Sequence, residues 1–151
     1  MNLRLGVPKE PENETRVGIV PSSMKKLLKA GFEVLVEKGA GVSANYSDAE
    51  YEAAGAKIVS RVDALACENI VCINFPGIEG ISENTNLACV ADPFRNPEYV
   101  KQCISSNITL MSMDMIPRRL SRAQSMDVNS SQDNLAGYKA VLLGAANVPK
   151  G

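Results

Sequence analysis

The chain has 151 residues, 45% of them hydrophobic, and sixteen basic against seventeen acidic side chains leave a formal net charge of −1. That balance supports one globular domain with a real core, and the lack of a basic run or aromatic platform argues against nucleic acid as a partner. The chain has no histidine, which removes Ser-His-Asp triads, imidazole acid–base schemes and most zinc sites.

Taken in order, "LRLGVP" is a short strand closed by Pro8, and the charged "KEPENETR" is turn-like. "PSSMKKLLKAG" predicts an amphipathic helix with Ser22 as N-cap, Gly31 as stop, and Met24, Leu27 and Leu28 on one face. The strand "FEVLVEKG" follows, then a short helix in "SDAEYEAAGA" where Ser47 and Glu50 match a capping box. Next come a strand in "AKIVS", a helical turn near residues 62–67, and "NIVCIN", apolar enough for a strand covered on both faces. "FPGIEGISENTN" is a Gly- and Asn-rich loop, and "NLACVA" is a strand. "NPEYVKQCISS" is a helix with Asn96 at the cap and Pro97 at its first position, and "ITLMSMDMI" is a further strand. The polar "PRRLSRAQSMDVNSSQDNLAGY" leads into a final helix near residues 130–147, with Ser130 at its cap. No window approaches the roughly 18–20 apolar residues of a spanning helix.

This βα alternation with short connections predicts an α/β fold, an open parallel twisted sheet with helices on both faces, Rossmann-like or flavodoxin-like. Cys67, Cys72, Cys89 and Cys103 form no CxxC pair and lie in apolar stretches, so they read as reduced core thiols of a cytosolic protein, with no metal site. Gly39-Ala-Gly41-Val-Ser-Ala44 fits G-x-G-x-x-A after a strand. A dinucleotide fingerprint needs a helix to begin inside that loop, whereas the helix signal begins only at Ser47. The stretch therefore reads as an ordinary Gly-rich turn.

The opening "RLGVPKEPENETRVGIVPSSMKKLLKAGFEVLVEKGAG", the segment "DPFRNPEYV" and above all "MSMDMIPRRLSRAQSMDVNSSQDNLAGYKAV" resemble the N-terminal region of the NAD-binding alpha subunits of proton-translocating nicotinamide nucleotide transhydrogenases, close relatives of alanine dehydrogenases. The resemblance covers essentially the whole chain. It implies a first subdomain over residues 1–129, ending in a cofactor-facing loop at about 117–129, and an inter-subdomain helix and linker start over 130–151. It implies NAD as cofactor, bound mainly by a Rossmann subdomain absent from this chain. Gln124 and Asp127 are then the catalytic-site residues, and Arg118 or Arg119, Gln124, Asp127 and Ser130 contact the cofactor. Counting back from Gln124 selects Arg119, and counting forward from Pro117 selects Arg118, because one extra residue lies between Pro117 and Ser121. Amide and hydroxyl groups suit such a loop: they orient a carboxamide and ribose without adding a competing acid or base, and the cofactor carries the redox chemistry.

The resemblance also implies partners: the NAD-binding subdomain of the same subunit, the NADP-binding and transmembrane domains of a complex, and a homodimer when complete. The location it implies is cytoplasmic, peripheral on the cytoplasmic or matrix face of an inner membrane. Alanine dehydrogenases hold their keto acid with an arginine, a lysine and a histidine. Arg16 matches the first, but Asn74 and Asp92 stand where the other two would be, which disfavours that activity. Arg16 then faces substrate or pairs with Glu10 or Glu14. The chain is expected to be a fragment, inactive alone, of a subunit that transfers hydride between NAD(H) and NADP(H). The alternative is a stand-alone, non-catalytic interaction module.

Overall fold

The apolar runs of the first 112 residues become six strands: β1 (Leu3–Val7), β2 (Phe32–Glu37), β3 (Lys57–Val59), β4 (Asn69–Asn74), β5 (Asn86–Val90) and β6 (Thr109–Ser112). All neighbours pair in parallel, in the order β3-β2-β1-β4-β5-β6. This computed structural model describes residues 3–117 and 119–148. One compact unit runs to Ser112 and a second begins at Met113.

Four helices serve the sheet: α1 (Met24–Lys29), α2 (Asp48–Ala53), α3 (Arg61–Leu65) and α4 (Pro97–Ser105). Side chains alternate along each strand, so the sheet has two apolar faces, each with its own cluster. Leu5, Val7, Val34 and Val36 pack with Met24 of α1 and Tyr51 of α2. Ile70, Cys72, Leu87 and Cys89 pack with Leu65 of α3 and Cys103 of α4. Val71, between Ile70 and Cys72, joins the first cluster. The expected α/β fold with helices on both faces is the one observed. The loop over residues 75–85 joins β4 to β5 without a helix.

Gly6 shows how tightly these layers meet. A Cβ there would lie 1.9 Å from the Ala64 carbonyl oxygen of α3, so only glycine lets this helix reach β1. The strand order reverses between β1 and β4, which makes the crevice at their carboxyl ends the topological switch point where ligands of such sheets bind.

Several helix ends follow their sequence signals. Ser47 Oγ accepts from the Glu50 amide at 3.3 Å while Glu50 Oε2 accepts from the Ser47 amide at 2.7 Å, the expected capping box. Pro97 opens α4 after Asn96, and Gly31, at φ +90°, ends the first helix. Ser22 is not the N-cap predicted for it. Pro21 starts a 3-10 turn over Pro21–Ser23 with extended Val20 before it, so Ser22 lies inside the turn. All four cysteines are free and buried. Burial pushes the Cys67 thiol up to about 11. Cys72 is raised chiefly by its hydrogen bond with Cys89 and further by burial.

In the second unit, the residues after β6 form 3-10 turns at Met113–Met115 and Gln124–Met126, followed by α5 (Val128–Asn147). The predicted strand "ITLMSMDMI" therefore stops at Ser112. No helix among the described residues is long and apolar enough to cross a membrane.

Candidate functional site

The polar segment before α5 is a short turn joined to a helix start. Asp127 is the N-cap: its Oδ1 accepts from the Ser130 amide at 3.1 Å and its Oδ2 from the Ser130 hydroxyl at 2.6 Å. The helix thus begins at Val128, two residues before the predicted start, because Asp127 takes the amide that opens the first turn. Ser130, expected as the cap, is the residue being capped. Ser125 Oγ donates to the Arg122 carbonyl at 3.2 Å, and Asn129 Nδ2 to the Asp114 carbonyl at 3.0 Å. These bonds hold the turn from both sides.

Gln124 opens the 3-10 turn and is exposed. Its side-chain amide makes no hydrogen bond to another described residue, so it keeps two donors and an acceptor for something else. Arg119 is exposed in the turn after Pro117, and Arg118 lies outside the described residues. The structure therefore brings Asp127 and Ser130 into contact and leaves Gln124 presented beside them in sequence.

The second group of predicted residues lies at or beyond the carboxyl ends of β1, β4 and β5. Arg16 pairs with Glu14: its Nε donates to Oε1 at 2.9 Å and its Nη2 to Oε2 at 2.7 Å. The guanidinium holds the Glu14 carboxyl down at about 2. Of the two roles open to Arg16, the ion pair is the one seen. Asn74 Nδ2 donates to Glu10 Oε2 at 3.1 Å and to Glu14 Oε2 at 3.3 Å, and the Asn74 amide donates to Glu10 at 3.0 Å. Asp92 adopts φ +43° at the end of β5, and its carbonyl accepts from the Arg95 and Asn96 amides at 3.0 and 2.9 Å. Its carboxylate lies 3.5 Å from Arg95 Nε.

Glu10, named from the sequence only as a possible partner of Arg16, instead binds the end of β4, a role that sequence inspection missed. It is only 8% exposed, and it accepts from the Ile73 amide at 2.5 Å. In the sequence it sits in a charged stretch that reads as solvated. The one signal there was its place between Pro8 and Pro11 directly after β1.

The G-x-G-x-x-A stretch is the turn it was read to be. Gly39 takes φ +75°, and its amide donates to Asp48 Oδ1 at 2.9 Å, so a carboxylate of the chain occupies the direction a phosphate would need. A Cβ on Gly41 would meet the Tyr51 ring at 2.6 Å.

Comparison with known proteins agrees with this architecture. Residues 6–136 match the family described as alanine dehydrogenase/PNT, N-terminal domain. An NAD(P) transhydrogenase subunit alpha polypeptide of Rhodospirillum rubrum is 42% identical over 154 residues, covering 95% of this chain and 40% of the relative. The NAD(P) transhydrogenase subunit alpha of Haemophilus influenzae is 37% identical over 142 residues, covering 91% of this chain and 28% of that protein. Among solved structures, a transhydrogenase from Sinorhizobium meliloti superposes with a TM-score of 0.91 at 38% identity, over 97% of this chain and 45% of that one. An L-alanine dehydrogenase superposes with a TM-score of 0.73 at 30% identity, over 80% and 34%. The chain thus spans less than half the length of these relatives, and it belongs to the alanine dehydrogenase/PNT N-terminal domain family.

Proposed function

We propose that this chain is the first subdomain of a transhydrogenase alpha subunit, running to about residue 129, with α5 leading toward an NAD-binding Rossmann subdomain. The observation that carries the proposal is the exposed Gln124 amide, unbonded to other described residues, at the head of a turn fixed by the Asp127–Ser130 cap. A neutral donor and acceptor of this kind fits a carboxamide, and it adds no acid or base that would compete with hydride transfer. When bound, NAD(H) supplies the hydride. Gln124 orients the nicotinamide, Asp127 holds the turn and accepts from the ribose, and Arg118 or Arg119 meets the pyrophosphate. The acceptor is NADP held by another domain of a proton-translocating, inner-membrane complex, in which the complete subunit is a homodimer.

Alanine dehydrogenase activity is disfavoured, because Arg16 is engaged by Glu14 and Asn74 by two carboxylates. Because the Gly39 loop offers no phosphate site, nearly all NAD contacts come from elsewhere. A calorimetric titration of the 151-residue chain with NADH tests the proposal: it predicts binding weaker than about 1 mM, since a loop gripping one end of the cofactor recovers little of its affinity. Micromolar binding would show that the chain has a nucleotide site of its own. A stand-alone interaction module predicts no loss of transfer on altering Gln124 in the intact complex.

A further inference from the structure

Continuing the register Leu5↔Asn69 and Gly6↔Ile70 sets Val7, the last residue of β1, opposite Val71, so the end of β4 overruns its neighbour. The β4–β5 register also shifts between Val71 and Asn74. The backbone amides of Ile73 and Asn74 therefore need acceptors that the β1 ladder does not supply. Glu10 provides them, with Oε1 taking Ile73 N at 2.5 Å and Oε2 taking Asn74 N at 3.0 Å and Asn74 Nδ2 at 3.1 Å. Three N–H groups converging on the carboxylate of this buried residue form a carboxylate site at the switch point of the sheet.

The chain holds Glu10 there on both sides. Pro8 and Pro11 restrict the backbone around it, the Lys9 amide donates to Glu37 Oε2 at 2.7 Å, and Arg61 Nη1 donates to the Lys9 carbonyl at 3.1 Å. Beyond it, the Glu14 amide donates to the Pro11 carbonyl at 2.9 Å. A cavity of about 180 Å³, lined by Lys9, Glu10, Arg61, Cys72, Asn74 and Phe75 among others, borders the carboxylate, so a small anion could reach these amides once the Glu10 side chain is gone.

We propose that Glu10 is a ligand supplied by the chain itself to a carboxylate site formed by the Ile73 and Asn74 amides and the Asn74 side chain, and that it closes the crevice to external small carboxylates. Any such anion must displace a buried carboxylate and approach Glu14 as well, and Arg16 is already engaged by Glu14 through two hydrogen bonds. The inference stands on this geometry alone and is independent of the cofactor role proposed for Gln124.

The test follows amide resonances of the full 151-residue chain during titration with sodium formate, with sodium chloride as control. In the unaltered chain, Ile73 and Asn74 should respond alike to both salts. In Glu10→Ala, Tm should fall by about 5 °C or more. Formate, but not chloride, should then restore part of that loss and shift both amides saturably. A saturable formate response in the unaltered chain would overturn the proposal, as would a folded Glu10→Ala variant that does not distinguish the two salts. If Glu10→Ala does not fold, Glu10→Gln serves: it keeps the shape but loses the charge, so hydrogen exchange at Ile73 and Asn74 should quicken about tenfold. Unchanged exchange there would equally overturn the assignment.

Discussion

Replacing Gly6 with alanine tests how the switch point is built. The added Cβ would stand 1.9 Å from the Ala64 carbonyl oxygen and 2.9 Å from its carbonyl carbon. The obstacle is backbone, so no rotamer change relieves it, and α3 must retreat by about 1 Å or more from a close-packed interior. Ala64 and Cys67 are fully inaccessible and Leu65 is 5% exposed, so the retreat opens contacts on the same face that it overfills. Overpacking of this kind costs roughly 1–3 kcal/mol, and a rigid obstacle places Gly6→Ala near the upper end, about 3 kcal/mol. Urea unfolding followed by far-ultraviolet circular dichroism should show a lower midpoint at an unchanged m-value, with Tm down by roughly 10 °C. A loss below about 0.5 kcal/mol would refute the claim that this glycine sets the approach of α3 to β1.

Tyr51 is fully buried, and its hydroxyl donates to the Ile19 carbonyl at 2.7 Å, while burial pushes the phenol up to about 12. Tyr51→Phe leaves that carbonyl unpaired and should cost about 1–2 kcal/mol in urea unfolding. Arg16 holds Glu14 at about 2 in the folded chain, below the roughly 4.3 of an unfolded glutamate. The stabilisation is therefore complete above the unfolded value and is lost as pH falls toward 2. Arg16→Met should accordingly narrow the stability gap to the unaltered chain between pH 5 and pH 2, a trend measurable by thermal melts across that range. Asp127→Ala removes the cap on α5 and should lower the stability of its first turn by about 1 kcal/mol, seen as faster amide exchange over residues 128–131, with Asp127→Asn recovering most of it.

The strands were legible because each is a short apolar run closed by Pro, Gly, Asn or Ser, and the alternation with helices selected a parallel sheet. Ser47 and Glu50 announced their capping box because both partners lie within one turn. Local competition defeated two helix starts. Pro21 displaced Ser22, and Asp127 displaced Ser130, although each serine is a good cap in isolation. The pairing of Glu10 with β4 was illegible for a different reason: these partners lie 63 and 64 residues away, and only the 3-2-1-4 strand order brings the end of β1 beside the end of β4. The role of Gln124 was drawn from family resemblance, since an exposed glutamine in a polar turn carries no periodicity or spacing signal of its own. What the fold adds is that Asp127 and Ser130 are committed to one another, while the Gln124 amide makes no hydrogen bond to another described residue.

On the function proposed above, Gln124 sets the geometry of hydride transfer. The direct test is stopped-flow transfer from NADH to an oxidised NADP analogue in the assembled complex carrying Gln124→Ala, alongside equilibrium NADH binding. Orientation matters most at the transition state, whereas ground-state affinity resides mainly in adenosine and pyrophosphate contacts. The transfer rate should therefore fall by roughly ten- to a thousandfold with NADH affinity changed far less, in keeping with the roughly hundredfold loss that small misplacements bring. An unchanged transfer rate would contradict the assignment, and a loss confined to affinity would reduce Gln124 to a binding contact.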